Sequence, residues 1–250
     1  MTAYRVGLVV PSSNTTMETE IPELLRRRRE LYPGEVFTTH GSRMRMKHVT
    51  PDELRRMDAE SDRCVAELAD ARCDVHAYAC LVAIMAQGPG YHEVSEKRLA
   101  EVAASAGGPA PVVSSAGALL AGLDVLGART VAMVTPYLPE LTGLVRAYIE
   151  GHGVTVHDAL SLGVADNLAV GCLDPAGLLD HYRRLDLTGC DALILSACVQ
   201  MPSLAVVQQV EDEIGLPVLT AATATVHTVL TALGLDPVVP GAGALLAGPR

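Results

Sequence analysis

The sequence predicts an α/β fold built as two pseudo-symmetric halves, each a four-stranded parallel sheet flanked by helices, with a cleft between them. Three observations lead there. Short apolar runs recur between helix-length segments, and they are nearly continuous rather than alternating, as strands buried on both faces read. The pattern runs twice along the chain. In addition, Asp74-Val75-His76-Ala77-Tyr78-Ala79-Cys80-Leu81-Val82-Ala83 has a counterpart in Asp191-Ala192-Leu193-Ile194-Leu195-Ser196-Ala197-Cys198-Val199-Gln200, each a short apolar run closing on a cysteine. The offset between halves is about 125 residues at the first strand and about 118 at the cysteines, a drift that small loop differences explain.

The first strand is read over residues 4–10, and the polar turn Pro11-Ser12-Ser13-Asn14-Thr15-Thr16 opens a helix running to residue 31. Such a turn presents free backbone N–H groups to an anion. Gly34 ends the helix, and residues 35–40 form the second strand. Thr50-Pro51-Asp52-Glu53 reads as a capping box with proline at the first helical position, which predicts one helix over about 51–72. The third strand, 75–79, ends at Cys80; a helix over about 93–106 follows Gly88 and Gly90, then a strand over 111–115 and a helix over 116–126. Thr130-Val131-Ala132-Met133-Val134-Thr135-Pro136-Tyr137 repeats the first strand and its proline, and its helix ends near Gly151-His152-Gly153. A strand over 154–160 and a loop over 161–173 lead to Asp174-Pro175, a helix N-cap and first-turn proline. The strand 192–197 ends at Cys198, Pro202 opens a helix, and Gly215 leads through a last strand ending at Thr220 to a helix over about 221–233.

With 250 residues, 49% hydrophobic and 19% charged, the chain can bury a large core in one or two domains. One Phe and no Trp leave little for base stacking, and a net charge of −10 repels nucleic acid and anionic lipid, so neither is expected as a partner. No apolar stretch reaches the roughly 18 uninterrupted residues of a bilayer span. The run Val6-Gly7-Leu8-Val9-Val10 has no basic segment before it and no small-residue cleavage site after it, so it reads as a strand rather than a signal, and a cytoplasmic location is expected. Six cysteines without a Cys-x-x-Cys or a Cys/His cluster predict reduced thiols and no structural metal. No Gly-x-Gly-x-x-Gly follows the first strand, which argues against a nicotinamide site, and no cofactor is predicted.

In open α/β sheets ligands bind beyond the carboxyl ends of the strands, which singles out Asn14, Cys80, Tyr137 and Cys198. A cysteine just past a buried strand and at a helix start is placed for a lowered pKa and an exposed, oxidisable sulfur. Cys64, Cys73, Cys172 and Cys190 read instead as core residues. Two thiols at mirrored positions suggest a nucleophile with an acid, or an acid with a base. His76, inside an apolar strand, reads as a core histidine, and His92 as either a helix cap or a group supporting the site. Asn14 taken alone is a turn or N-cap residue, and Asn167 lies between Gly163 and Gly171 in a loop that reads as a glycine-hinged lid. Arg26 to Arg29, Arg55 and Arg56 read as solvated helix faces; Arg43, Arg45 and Lys47 are candidates for steering charges at a cleft mouth.

The segments Val9-Val10-Pro11-Ser12-Ser13-Asn14-Thr15-Thr16-Met17-Glu18 and Tyr78-Ala79-Cys80-Leu81-Val82-Ala83-Ile84-Met85-Ala86, with Gly90-Tyr91-His92 behind, resemble maleate cis-trans isomerases of the cofactor-independent Asp/Glu racemase superfamily. The resemblance reaches to the Gly/Ala-rich tail at about residue 240. It implies two Rossmann-like domains whose fourth strands are each followed by a helix crossing to the other half, giving residues 1–115 plus 221–250 and residues 116–220. It further implies Cys80 as nucleophile, Cys198 as the proton-handling cysteine, and Asn14, Tyr137 and Asn167 as holders of the substrate carboxylates. The implied reaction takes maleate to fumarate; a homodimer or higher homo-oligomer is expected separately, since Ala-rich helices pack within and between subunits alike.

That chemistry asks for particular groups. Thiolate addition to C2 of maleate leaves a single bond that turns freely, and the carbanion at C3 needs preorganised donors, which backbone N–H groups around Ser12 and Ser13 and those of Leu81, Val82 and Val199 are placed to supply. The paired cysteines alone also fit an aspartate, glutamate or hydantoin racemase or an arylmalonate decarboxylase, and a non-catalytic dicarboxylate-binding protein would use the same cleft.

Overall fold

The computed structural model describes residues 1–248, apart from the Pro51 side chain, and is built on two four-stranded, all-parallel sheets. The first half runs β1 (Thr2–Pro11), α1 (Met17–Arg28), β2 (Glu35–Met44), α2 (Pro51–Asp58), α3 (Ser61–Asp70), β3 (Val75–Tyr78), α4 (Leu81–Met85), α5 (Tyr91–Ser105) and β4 (Val112–Ser114). Then come α6 (Ser115–Leu126), β5 (Thr130–Thr135), α7 (Pro139–Gly151), β6 (Thr155–Ser161), α8 (Asn167–Gly171), α9 (Leu178–Tyr182), β7 (Ala192–Ser196), α10 (Val207–Ile214), β8 (Val218–Thr220) and α11 (Ala221–Ala232). Both sheets follow one plan, β2-β1-β3-β4 and β6-β5-β7-β8. The chain leaves β1 toward one edge and β3 toward the other, so a crevice opens beyond the carboxyl ends of β1 and β3, and likewise of β5 and β7. Asn14 and Cys80 follow the first pair of strands; Tyr137 and Cys198 follow the second.

Every residue of β3 and β7 is buried, which is why their sequences run apolar without alternation. The aspartate that begins each repeat sets the register. Asp74 accepts the N–H of Arg5 at 2.6 Å, and Asp191 accepts those of Arg129 and Thr130, both at 2.8 Å, so each third strand is pinned to the first strand of its half. Ala79 N–H then donates to Val9 O at 2.8 Å and Ala197 N–H to Val134 O at 3.0 Å, which sets each following cysteine at the same height above its sheet.

Several expected boundaries move, each for a local reason. The helix expected over 51–72 is two helices, because Ser61 Oγ donates back to Asp58 O at 2.6 Å and Asp58 turns inward to accept the hydroxyls of Tyr78 (2.8 Å) and Tyr91 (2.6 Å). The capping box is half made: Thr50 Oγ1 accepts Glu53 N–H, while the Glu53 carboxylate accepts the N–H groups of Lys47 and His48, which hold it down to about pKa 2. The second strand reaches Met44 because β1 pairs along its whole length. The first helix starts only at Met17 and ends at Arg28, and the helix expected from Pro202 starts at Val207, since residues 198–206 are held as a loop by the other half. The loop 161–173 contains the short helix α8.

The halves exchange elements near the end of the chain. Helix α11 packs on α1, α6, β3 and β4 as well as β8, and a Cβ added at Gly122 of α6 would lie 3.0 Å from Leu245 and 3.3 Å from Leu219 of β8. Arg28, fully buried, pairs with Glu35 at 2.6 Å and donates to the carbonyls of Asp236 and Val238, fastening the tail to the first half. Among the described residues no helix is long and apolar enough to cross a membrane.

Candidate active site

The two crevices meet. Cys80, Cys198, Asn14, Tyr137 and Asn167 all come together at the junction of the halves, each only 1–4% exposed. Cys80 is the residue before α4, and one backbone N–H, that of Ala83, is directed at its sulfur. Cys198 has a richer setting: its sulfur accepts the N–H of Gln200 at 3.3 Å, and the Met201 N–H and the Tyr137 hydroxyl also reach it. The two thiols are near enough for each charge to be felt by the other.

The expectation of exposed sulfurs with lowered pKa is overturned. Burial pushes the Cys80 thiol up to about 12, with the Ala83 N–H opposing and any charge on Cys198 and Asp58 adding. Burial raises Cys198 as well, but Tyr137, Gln200 and Met201 all act against it. The reason is one of magnitude: α4 is five residues long, too short for its dipole to outweigh the loss of hydration. Of the two sulfurs, Cys198 is therefore the one whose anion the protein is better built to hold. Burial also keeps the Tyr137 hydroxyl protonated and thus a donor.

The β1–α1 turn is arranged around the Asn14 amide. Its Oδ1 accepts the N–H groups of Thr16 and Met17, both at 3.0 Å, so Asn14 closes the turn ahead of α1, whose N-cap is Thr16, and those bonds aim Nδ2 across the junction, 3.5 Å from Val199 O. Asn167 directs Nδ2 to Ser13 Oγ at 2.9 Å. Both amides thus end their donor side on weak or replaceable partners in the junction. The backbone row expected as anion donors is largely used up: Ser12 N–H goes to Met44 O, Asn14 N–H to Pro11 O and Thr15 N–H to Gln200 Oε1. Ser12 is correspondingly a tie, its Oγ bonded to Met46 N–H and O, and it does not join the cluster. Leu81, Val82 and Val199 are buried next to the cysteines they follow.

Two further expectations change. Arg43 is a buttress rather than a steering charge: Nη1 donates to Ser12 O and Asn14 O, both at 3.0 Å, while Nη2 pairs with Glu18. His92 bonds the Tyr148 hydroxyl through Nδ1 at 2.6 Å, joining α5 to α7. His76 is a core residue, fully buried with neither ring nitrogen bonded. Asp166, before α8, forms an antiparallel bridge with His48, so the loop bearing Asn167 closes against the segment after β2. Among the described residues no group of three or more His, Cys, Asp or Glu side chains is placed to hold a metal ion. Sequence reasoning missed Gln200 and Asp58. The signal for Gln200 was its place two residues after Cys198, where the first half has Val82.

Comparison with known proteins agrees with this geometry. The family model for arylmalonate decarboxylase matches residues 6–246. A maleate isomerase of Geobacillus stearothermophilus is 58% identical over 245 residues, 98% of each chain. The crystal structure of a cysteine-to-alanine variant of the Pseudomonas putida S16 maleate isomerase with maleate superposes with a TM-score of 0.97 at 53% identity, covering 99% of this chain and 98% of that one. A cysteine-to-serine mutant of the Nocardia farcinica maleate cis-trans isomerase, which carries a covalently bound succinylcysteine intermediate, superposes with a TM-score of 0.94 at 50% identity, covering 98% of each chain. With two parallel sheets, a cysteine beyond the third strand of each, and identity above one half along nearly its whole length, the chain belongs to the maleate isomerase family.

Proposed function

We propose that the protein converts maleate to fumarate, with Cys80 forming the carbon–sulfur bond and Cys198 moving the proton. The observation that carries the assignment is the unequal provision for the two sulfurs. In the forward step Cys80 gives its proton to the Cys198 thiolate as its sulfur adds to C2, the π electrons move to C3 beside a carboxylate, and the Cys198 thiol passes that proton on to C3. The negative charge thereby returns to Cys198, where Tyr137, Gln200 and Met201 donate to it. Rotation about C2–C3 follows. Cys198 then takes the proton back from C3, the C2–S bond breaks, and Cys80 leaves as thiolate with fumarate. The succinylcysteine of the Nocardia farcinica relative is the species this scheme passes through.

The dianion is received without an arginine. Asn14 Nδ2 and Asn167 Nδ2 exchange Val199 O and Ser13 Oγ for carboxylate oxygens, and backbone N–H groups of Leu81 and Val82 at the start of α4 add to them. Neutral donors hold the substrate without an ion pair that competes with the Cys80 thiolate, and the closed, water-poor junction strengthens each bond. The test is direct: purified protein and maleate, with no added cofactor, should yield fumarate by proton NMR, and an unchanged maleate spectrum would refute the activity.

The chain is read as dividing into residues 1–115 plus 221–250 and residues 116–220, a partition supported by α11 packing on α1, β3 and β4 and by Arg28 holding the tail. We infer a homodimer or higher homo-oligomer in the cytoplasm, with the exposed Leu138 and Leu144 at α7 as candidates for its interface. Light scattering on the purified protein checks the oligomer.

A further inference from the structure

We propose that Gln200 is a positioning residue that holds Cys198, Asn14 and Asn167 in one register across the two halves. Its side chain is 1% exposed and bonded in every direction. Nε2 donates to Ser13 O at 3.0 Å and Asn167 O at 2.9 Å; Oε1 accepts Thr15 N–H at 2.9 Å and Thr16 N–H at 3.3 Å. Only one orientation of the amide satisfies two carbonyls and two N–H groups at once. The Gln200 backbone completes the joint, its N–H on Cys198 Sγ at 3.3 Å and its carbonyl accepting Thr16 Oγ1 at 2.7 Å.

Three separate stretches therefore share one amide: the turn 13–16 from the first half, the loop and helix at 167–171, and the segment after Cys198. The neighbouring backbone is fitted to it. A Cβ added at Gly171 would lie 2.5 Å from Gln200 Nε2 and 2.8 Å from Thr15 Oγ1, so only glycine lets α8 close on the joint. The pseudo-symmetric position sharpens the point. Two residues after Cys80 stands Val82, inside α4, with no polar fork; two residues after Cys198 stands Gln200, in a loop without helix until Val207. The halves differ here because one of them has to reach across, and the residue that reaches fixes the donor directions of Asn14 and Asn167, the two amides assigned to the substrate.

This inference rests on the maleate reading, and the experiment keeps the two apart. Gln200→Glu keeps the shape and the acceptor toward Thr15 and Thr16 but turns a carboxylate oxygen on the carbonyls of Ser13 and Asn167. Misplacement of the amides by about 1 Å is expected to lower kcat/KM for maleate ~100-fold, most of it as a raised KM. Gly171→Ala pushes on the same amide from the other side and should raise KM in the same way; it supplies the answer if Gln200→Glu does not fold. Wild-type KM in either folded variant, with only a lowered Tm, would overturn the positioning role and leave Gln200 a stabilising residue. Wild-type protein that does not turn over maleate would instead overturn the parent reading.

Discussion

Replacing Tyr137 by Phe removes one hydroxyl and leaves the ring that fills the junction. In the native protein that hydroxyl sits beside Cys198, both residues being buried to within a few per cent. A hydrogen bond to a charged acceptor contributes about 1.5–3 kcal/mol, and each pKa unit corresponds to about 1.4 kcal/mol. The Cys198 ionisation should accordingly move to higher pH in Tyr137→Phe. If Cys198 must carry the anion once C3 is protonated, the same loss falls on the chemical step, lowering kcat about tenfold to a hundredfold. Alkylation by iodoacetamide across a pH series, read peptide by peptide by mass spectrometry, reports each cysteine separately, and kcat comes from fumarate formation by NMR. A Cys198 alkylation curve that stays in place or moves to lower pH, or a kcat equal to wild type, would refute the assignment of Tyr137 as the donor to that sulfur.

Further expectations follow from groups elsewhere. With burial pushing Cys80 up to about 12, its alkylation in the ligand-free protein should still climb about tenfold per pH unit between pH 8 and 10; a plateau near pH 8 would show that the sulfur is not desolvated. His76 is buried with its pKa lowered below 6.5, so the unfolded chain binds a proton that the folded chain does not. Stability is then unaffected above pH 7 and falls as pH drops through 6.5 toward the folded pKa, by up to about 1.4 kcal/mol per pH unit. His76→Leu should flatten the change in urea midpoint between pH 7 and 5, a window above the range where Glu23, Glu53 and Asp186, each held down to about 2, are protonated. Arg28→Ala leaves Glu35 half of a broken buried pair and frees the carbonyls of Asp236 and Val238; urea denaturation should show a loss of about 3–5 kcal/mol.

What could be read from the sequence was what local pattern and repetition encode. The unbroken apolar runs of β3 and β7 announced parallel strands, and the two aspartate-to-cysteine stretches announced both the duplication and the pair of thiols. Asn14 was legible as a turn or N-cap residue, and it is the turn residue, with Thr16 as the N-cap; that its turn bonds also aim the amide at Val199 needed the second half in place. The thiol pKa values went the other way from expectation for the same reason. A helix start is visible in sequence, but the burial that overrides it comes from tertiary packing of α4 against α2, α5, α6 and α7. Arg43 and Gln200 escaped because their partners lie far along the chain, 25 or more residues away for the Arg43 side chain and 33 or more for the Gln200 amide, and most are loop carbonyls and N–H groups that carry no side-chain signature. The break between α2 and α3 was hidden because Asp58, which causes it, answers to Tyr78 and Tyr91 and not to its own helix.

The central claim is that Cys80 attacks and Cys198 moves the proton. Cys198→Ser should slow the return of that proton and let the adduct accumulate. Incubated with maleate, quenched in acid and digested, this variant should carry the mass of one maleic acid on the peptide that contains Cys80. An adduct confined to other peptides, or turnover that survives Cys80→Ser in the presence of an intact Cys198, would contradict the account.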